Sequence, residues 1–325
     1  MPEKVREAHL GPVLRAAGRY AALALLVAAA AGRASGAATA YSGDVLFASP
    51  TQRDHIGRIL APVVIDGKGP YRFIIDTGAS QSTMSPALAV KLGLSPAKDA
   101  SVVVNGVTGS APEPTVPVRL LQAGALQVLR VRIPIIVTPM LNDADGILGV
   151  AGLTHSCLFV DFRANRVAIS RCGLFTPPSR GQRISAVRLE GGLIAVYVRV
   201  GPLRVPAIID TGAQRTMGNL ALRDALSAQR TEADPILTPV YGATAAVATG
   251  QLTAAPPIVI GPDVISGADI VFGDFHIFQV WHLDRRPAMI IGMDVLGRVD
   301  GLGIDFEHPQ LYIQTAPDVP TGWSH

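Results

Sequence analysis

The chain contains one six-residue segment twice: Ile-Ile-Asp-Thr-Gly-Ala occupies residues 74–79 and again 208–213. In each copy two β-branched apolar residues precede the aspartate, which is the pattern of a buried strand that ends in a turn. A single copy would be an ordinary strand-to-turn junction. Two copies in matching context indicate an internal duplication, and they restrict the fold to one built from two related halves.

The sequence around the two copies also repeats, element by element. Each copy is followed by a short segment typical of a helix, with Ser85 and Asn219 as the expected N-caps. A glycine-bearing hairpin, two apolar residues with a glycine, and a closing strand that contains Asp-Phe come next in each half. These segments are 85–94, 101–111, 147–149 and 159–169 in the first half, and 218–229, 239–252, 290–292 and 303–313 in the second.

Length and composition agree with a two-lobed, mostly β protein. The chain has 325 residues, of which 49% are hydrophobic and 16% charged, so it can form sizeable cores and disorder is not expected. The 33 glycines and 25 prolines indicate many turns between short Val- and Ile-rich runs. We expect an N-terminal lobe at 41–176, a Pro-rich linker at 177–183 and a C-terminal lobe at 184–325.

Residues 1–40 are typical of an export signal. Basic residues precede an apolar run at 21–31, and Ala38-Thr39-Ala40 fits a small-x-small cleavage site. The apolar run is shorter than the roughly 20 residues that span a bilayer. Cleavage near Ala40 would give an exported chain, periplasmic or secreted. An uncleaved segment that tethers the protein to a membrane, and a wrongly chosen start codon, are the alternatives.

The same N-terminal segment accounts for the basic charge of the chain. Residues 1–40 hold five Lys or Arg and two Asp or Glu, and the whole chain has a formal net charge of +3, so the remainder is close to neutral. A neutral body gives no electrostatic basis for binding nucleic acid.

The two cysteines are placed to pair across a hairpin. Cys157 and Cys172 lie symmetrically about Ala164-Asn165. If that dipeptide forms the turn, the cysteines face each other with Cβ atoms close enough to bridge, and an exported chain reaches an oxidising compartment. We expect a structural disulfide, with two buried free thiols as the alternative.

Two Asp-Thr-Gly motifs in one chain predict a pair of carboxyl groups that act together on a water molecule. One of Asp76 and Asp210 would take a proton from water as it attacks a peptide carbonyl, and the other would protonate the developing oxyanion. Two like charges about 3 Å apart cannot both ionise easily, so the pair shares one proton and its pKa values belong to the pair. This arrangement predicts peptide hydrolysis.

The residues after each aspartate suit that role. Thr77 and Thr211 can hydrogen-bond beneath the site and tie the two loops together. Gly78 and Gly212 allow backbone N–H groups to approach the carboxylates, which a Cβ would hinder. We therefore expect these four residues to shape the site around the aspartates.

With these motifs the chain resembles the aspartic proteases. Each half is similar to a retropepsin unit, and the two are fused as in a pepsin-like chain, over roughly residues 56–315. The resemblance implies a two-lobed acid-protease fold and an endopeptidase with Asp76 and Asp210 as its catalytic dyad, acting on a peptide or unfolded protein. It implies no metal and no organic cofactor. Since one chain supplies both aspartates, it also implies a monomer.

The resemblance further implies flaps that cover a cleft for an extended peptide. The two glycine-bearing hairpins are the candidate flaps, and the first is the stronger candidate. The candidate flap residues are Asn105, Gly106, Val107, Thr108 and Gly109 in the first hairpin, and Tyr241 and Gly242 in the second.

The chain departs from the family pattern after each motif. Ser80 could supply a hydroxyl that supports Asp76, whereas Gln214 and Arg215 follow the second motif, so Asp210 lacks such a group. Alanine rather than Ser or Thr follows each glycine. Fewer hydrogen bonds to the ionised dyad should raise its pKa values, so we expect optimal activity at mildly acidic pH.

Another departure concerns the apolar-apolar-glycine segments. Retroviral members often carry an arginine just after them, and here Val150 and Met293 stand at those positions. The ion pair made by that arginine is therefore not expected.

A different class of function remains open. A catalytically silent module of the same fold could bind peptides or inhibit other enzymes, and a cationic Arg215 near one aspartate would favour it by spoiling proton sharing. Asp145 is expected in a turn and Asp294 as a helix cap. His276 and His282 are expected on a strand rather than at a metal site.

Overall fold

The fold is described from a computed structural model, in which the strands and helices follow the repeated order of the sequence. The described residues are 45–50, 52–54, 57–96, 100–124, 126–172, 182–227 and 236–315. The expected export signal at 1–40 lies outside them. In this part of the chain no helix is both long and apolar enough to cross a membrane.

Among the described residues, the first half is made of strands with one α-helix. Its elements are β1 (Val45–Pro50), β2 (Gln52–Arg53), β3 (Ile59–Ile65), β4 (Lys68–Ile75), β5 (Thr83–Met84), α1 (Pro86–Leu92), β6 (Ser101–Gly106), β7 (Gly109–Ala123), β8 (Leu126–Pro134), β9 (Gly146–Leu148), β10 (Ser156–Asp161) and β11 (Arg166–Arg171).

The second half repeats this order and adds two short helices. Its elements are β12 (Gln182–Arg188), β13 (Ile194–Val200), β14 (Leu203–Ile209), β15 (Met217–Gly218), α2 (Leu220–Ser227), β16 (Ile236–Tyr241), β17 (Val247–Ala254), β18 (Ile258–Ile260), β19 (Asp263–Ile265), β20 (Asp269–Phe272), α3 (His276–Val280), β21 (Met289–Ile291), α4 (Met293–Leu296), β22 (Gly301–Asp305) and β23 (Gln310–Gln314).

The strands of the described residues form two sheets, and one of them joins both halves. The first-half sheet has the order β5-β9-β4-β3-β7-β6, with β2 on β3 and β8 on β7. The other sheet begins β1-β11-β10-β22-β23-β12 and continues β13-β14-β21-β15-β20-β17-β16, with β18 on β13 and β19 on β18. The closing strands β10 and β22, one from each half, are antiparallel neighbours. The predicted mostly β, duplicated fold is confirmed.

Each Asp-Thr-Gly motif directly follows a strand. That strand pairs with the apolar-apolar-glycine segment of the same half. β4 and β9 are parallel, with Ile74 opposite Ile147. β14 and β21 are parallel in the same way, with Ile208 opposite Ile290. The apolar-apolar-glycine segments are therefore hydrogen-bonded neighbours of the strands that precede the two motifs.

The strands that carry the aspartates are anchored in the main core. Ile75 and Ile209, the residues immediately before the aspartates, are both 0% exposed and belong to one hydrophobic cluster. Burying an isoleucine side chain contributes about 2 to 3 kcal/mol, so each motif begins from a firmly held strand end.

Both predicted helices are confirmed with their caps. The Ser85 hydroxyl accepts a hydrogen bond from Leu88 N at 3.1 Å, and Gly93 ends α1 with φ 73°, a conformation that favours glycine. The Asn219 side chain caps α2 by accepting a hydrogen bond from Leu222 N at 2.8 Å.

The predicted disulfide between Cys157 and Cys172 is present, with the Cα atoms 5.1 Å apart. The expected register was wrong, because Cys157 faces Ser170 across the hairpin. The Asp161 carboxylate accepts a hydrogen bond from Ala164 N at 2.7 Å, which makes a longer turn than the two-residue turn expected. Cys172 follows the last residue of β11 and bridges diagonally.

Two further expectations need correction. His276 begins the helix α3 rather than lying on a strand, since Phe275 and Phe278 pack into the core at helical spacing. His282 follows that helix with a φ of 55°. Gln182 and Arg183, the last residues of the expected linker, already belong to β12, and 173–181 lie outside the described residues.

Candidate active site

The two aspartates sit at equivalent strand ends. Asp76 follows β4, and its backbone N–H donates to Leu148 O of β9 at 3.1 Å. Asp210 follows β14, and its N–H donates to Ile291 O of β21 at 3.0 Å. The side chains of both aspartates are buried, at 7% and 8% exposure. Each half thus delivers one carboxyl group to the same place through the same backbone bond.

Thr77 and Thr211 join the two loops through reciprocal hydrogen bonds. The Thr77 hydroxyl donates to Ile209 O at 2.7 Å and accepts from Thr211 N at 3.0 Å. The Thr211 hydroxyl donates to Ile75 O at 2.7 Å and accepts from Thr77 N at 3.2 Å. Both threonines are 0% exposed, so water cannot replace these bonds. The arrangement fixes the separation of the strand ends that carry the carboxyl groups.

Gly78 and Gly212 are required by the closeness of the two loops. A Cβ on Gly78 would overlap the carboxylate of Asp210, and a Cβ on Gly212 would overlap that of Asp76. Each glycine therefore lies against the aspartate of the other half. The backbone N–H of each glycine bonds to the aspartate of its own half. Gly78 N donates to Asp76 Oδ1 at 2.8 Å, and Gly212 N donates to Asp210 Oδ1 at 2.9 Å.

Asp76 and Asp210 each shift the pKa of the other. Burial raises the pKa of Asp76, and the Gly78 N–H, Asp210 and the charge of Arg58 act against that rise. Burial, followed by the negative charge of Asp76, raises the pKa of Asp210 well above its usual range. The pKa values of both aspartates are thus raised, as expected, but the main cause is burial rather than a shortage of hydrogen bonds.

The residues after the motifs behave differently from the sequence interpretation. Ser80 is exposed and its Cβ faces Gly191 of the second half, so its hydroxyl makes no hydrogen bond to Asp76. Ala213 N donates to Asp210 Oδ1 at 2.9 Å and gives the second aspartate one more donor. Arg215 is exposed and is not among the groups that shift the pKa of Asp210.

The other acidic residues near the motifs have structural partners. Asp145 accepts a hydrogen bond from Arg72 N at 2.8 Å, next to β9. Asp294 lies in the first turn of α4, whose N-cap is Gly292, and it accepts from the Thr216 hydroxyl at 2.7 Å. Asp294 is therefore a first-turn residue rather than the cap itself.

The two glycine-bearing hairpins meet above the aspartates. Gly242 at the tip of the β16–β17 hairpin packs against Thr108 at the tip of the β6–β7 hairpin. The hydroxyl oxygens of Thr108 and Thr244 are 3.4 Å apart. Thr138 from the first half donates to Gly242 O at 2.6 Å. The two hairpins thus form one cover, to which each half contributes one tip.

Beneath this cover lies a cavity of about 710 Å³ that includes both aspartates in its wall. Its wall is largely apolar, with Val104 and Ile147 from the first half and Val271 and Trp281 from the second. The flap candidates that line it are Asn105, Gly106, Val107, Tyr241 and Gly242. Thr108 and Gly109 contact the opposite hairpin instead, Gly109 through Ala246.

Sequence reasoning missed Arg58 in this wall. Arg58 is 1% exposed, and its guanidinium pairs with the equally buried Asp54 at 2.6 Å. The available signal was an arginine directly before an apolar strand, with an aspartate four positions earlier. Burial of such a residue is a tertiary property, so the local pattern could equally describe a solvated turn.

One group of potential metal ligands occurs in the part of the chain that the structure describes, namely Cys157, Cys172 and Asp305. The two sulfur atoms are joined in the disulfide, so they cannot bind a metal as thiolates. The three residues lie on β10, directly after β11 and on β22, not in the Asp-Thr-Gly loops.

Comparison with known proteins adds one match. No curated protein matches the sequence. Residues 61–151, which contain the first Asp-Thr-Gly motif, the first flap candidate and the first apolar-apolar-glycine segment, match the family model of aspartyl proteases. The second half presents the same elements around Asp210. The first half of the chain is thus similar to an aspartic protease family.

Proposed function

We propose that the protein is an exported aspartic endopeptidase whose catalytic groups are Asp76 and Asp210. One observation carries the proposal: two buried carboxyl groups, one from each half, share a site that the reciprocal threonine hydrogen bonds hold together. Buried and coupled carboxyl groups retain one proton between them at mildly acidic pH. Such a pair has the base and the acid that hydrolysis of a peptide bond needs.

The substrate that fits is an extended stretch of peptide. The cavity is covered by two β-hairpins, and an extended chain can hydrogen-bond to hairpin backbones while its side chains enter apolar pockets. The mostly apolar wall, with Val271 and Trp281 on one side and Ile147 on the other, favours apolar side chains at the cleavage site. A folded substrate would not expose such a stretch, so unfolded proteins or peptides are the proposed substrates.

The proposed enzyme works as a monomer after export. Both aspartates and both covering hairpins come from one chain, so no second copy is needed to complete the site. Export is supported by the signal-like residues 1–40 and by the buried disulfide between Cys157 and Cys172, which is typical of oxidising compartments.

The test is cleavage of an unfolded protein by the purified full chain between about pH 3 and pH 7. Asp76→Asn and Asp210→Asn should each lower kcat/KM by about 10²- to 10⁴-fold, because either change removes the acid–base pair. Asp224→Asn, an exposed aspartate on α2, is the matched control and should leave cleavage unchanged. A statine-type inhibitor should block the wild type.

Two outcomes would contradict the proposal. Cleavage that survives either active-site substitution would come from a different site or a contaminant. A well-folded wild type that cleaves nothing at any pH would favour the catalytically silent peptide-binding or inhibitor module.

A further inference from the structure

The two halves make the same backbone turn just before the strands β3 and β13, but with opposite chemistry. In the first half, Asp54 N donates to Arg58 O at 3.0 Å and Gly57 N donates to Asp54 O at 3.0 Å. In the second half, Leu189 N donates to Leu193 O at 2.9 Å and Gly192 N to Leu189 O at 3.2 Å. An aspartate–arginine pair in one half thus corresponds to two leucines in the other.

Strand register confirms that the two turns are equivalent. Leu60 of β3 pairs with Ile74, two residues before Asp76. Ala195 of β13 pairs with Ile208, two residues before Asp210. Arg58 precedes Leu60, and Leu193 precedes Ala195, by the same two positions. Both side chains are buried and both line the cavity that holds the aspartates.

The fold of this turn does not need the charges. A buried ion pair loses the hydration of both groups, and well-packed apolar residues can replace it at no cost in stability. The leucine pair of the second half makes the same turn with the same hydrogen bonds. What distinguishes the first half is therefore a buried ion pair whose positive member, Arg58, lies in the wall of the cavity where the second half has Leu193.

One nitrogen of this guanidinium, Nη2, makes an ion pair but no hydrogen bond of good geometry. Asp54 Oδ2 accepts from Arg58 Nε at 2.7 Å and lies 2.6 Å from Nη2. Nη2 is buried, and the geometry of its ion pair is not that of a hydrogen bond. The guanidinium therefore keeps an incompletely satisfied cationic edge in a cavity wall that it shares with Asp76.

We propose that Arg58 makes the two catalytic carboxyl groups inequivalent: it holds Asp76 ionised, so that the proton shared by the pair rests on Asp210. The consequence for catalysis rests on the proposed protease function, whereas the position of the proton does not. Arg58 acts here through Asp76 and is a positioning residue.

The charges around the two carboxyl groups shift their pKa values in this direction. Against the rise caused by burial, the positive charge of Arg58 lowers the pKa of Asp76, and the negative charge of Asp76 raises the pKa of Asp210. The other charged residues of the cavity wall are Glu190 and Arg215; both are exposed, and water screens them. The strands beside the two loops, β9 and β21, present the uncharged Leu148 and Ile291.

This difference between the two carboxyl groups determines which of them acts as the base and which as the acid in hydrolysis. The Asp76 carboxylate takes one proton from water as the water oxygen bonds to the carbonyl carbon, and Asp210 gives its proton to the carbonyl oxygen. When the C–N bond breaks, the proton on Asp76 goes to the leaving amine, and a hydroxyl proton of the intermediate returns to Asp210. Every proton is accounted for, and the pair ends in its starting state.

The experiment compares the full chain with Asp54→Leu/Arg58→Leu, which copies the leucine pair of the second half. Carboxyl ¹³C NMR of aspartate-labelled protein, with signals assigned through Asp76→Asn and Asp210→Asn, reports which group ionises first. In the wild type Asp76 should ionise first. In the double variant its pKa should rise by roughly 0.5 to 1 unit, and the acid limb of the pH profile of kcat/KM should move up equally.

Two single variants separate charge from packing. Arg58→Lys keeps the cation and should keep the acid limb near its wild-type position. Arg215→Leu removes an exposed cation of the same cavity and should not move the limb. A ¹³C titration in which Asp210 ionises first in the wild type, or an unchanged first ionisation in a folded double variant, would overturn the inference. A wild type that is inactive at every pH would overturn the protease function alone, since the NMR titration still locates the proton.

Discussion

The loops that carry Asp76 and Asp210 differ little in backbone and much in surroundings. Each aspartate receives the N–H of the second residue after it, each threonine bonds to the opposite half, and each glycine lies against the opposite carboxylate. The turns before β3 and β13 share their backbone bonds too. The first buries Asp54 and Arg58, whereas the second carries the half-buried Leu189 and the buried Leu193. The two halves thus share the backbone geometry of these loops and turns, but they differ in the buried charges of the turns.

The difference separates two requirements of a carboxyl pair. Bringing two carboxyl groups together needs a symmetric frame, because each half must hold the other at a fixed distance. Giving the pair one acid and one base needs asymmetry, because identical surroundings would leave the proton equally on both sides. The shared frame lies in the Asp-Thr-Gly loops, and the proposed asymmetry lies one strand away, where a change of residue leaves the frame intact.

The largest effect is expected where the two halves touch. Gly78→Ala and Gly212→Ala each place a methyl group inside the space of the opposite carboxylate, so each should lower kcat/KM by about 100-fold or more. Gly267→Ala is the matched control: this glycine has a φ of 67° but open space around the added methyl group, so only stability should fall. Unequal losses of kcat/KM in Gly78→Ala and Gly212→Ala would show that the two loops do not hold the carboxyl groups equivalently.

The threonine bonds test whether the frame is one network. Thr77→Val and Thr211→Val each leave a buried carbonyl and a buried N–H without a partner, so each should lower the free energy of unfolding by about 2 to 4 kcal/mol. The double variant should lose clearly less than the two single losses added, because either change already breaks the shared network. Thr77→Ser keeps the hydroxyl and should lose least. Urea unfolding measures all four, and full additivity would contradict a single network.

The buried carboxyl pair should make stability depend on pH. Burial raises the folded-state pKa of Asp210, so folding is most stable at low pH, where the carboxyl is protonated in both states. Stability should fall as the pH rises above the unfolded pKa, by roughly 1.4 kcal/mol for each unit by which burial raises the folded value. Asp210→Asn removes the contribution of Asp210 to this dependence and should be the more stable protein at pH 7. Thermal unfolding at pH 4 and pH 7 measures it, and parallel curves for both proteins would contradict the buried pair.

The smallest effect is expected at the cover. Thr138→Val removes the 2.6 Å hydrogen bond that ties the second hairpin tip to the first half. A neutral hydrogen bond contributes about 1 kcal/mol, so KM should rise about fivefold while kcat changes little. Thr115→Val, which removes a hydroxyl bond to Ala100 O outside the cavity wall, is the control. A fall in kcat with unchanged KM would show that the hairpin acts on chemistry rather than on substrate capture.

Local pattern and duplication were enough to predict the halves, the helix caps and the cysteine pairing. The register of the 157–172 hairpin was wrong because a side-chain bond from Asp161 extends its turn, and strand pattern alone does not report that bond. The helix at His276 was missed because its apolar spacing is as compatible with a short strand as with one helical turn. Ser80 was misplaced because its direction depends on contact with Gly191 of the other half.

The central strands β1-β11-β10-β22-β23-β12 come from both halves of the chain. The aspartate pair can therefore report whether the two halves have assembled. The contact between the two carboxyl groups needs both halves, since a glycine of each half lies against the aspartate of the other and the threonines bond across. The part of the raised pKa of Asp210 that comes from the charge of Asp76 is thus acquired only when both halves are assembled. A titration of that carboxyl in a mixed sample would count the assembled molecules directly, with no substrate present.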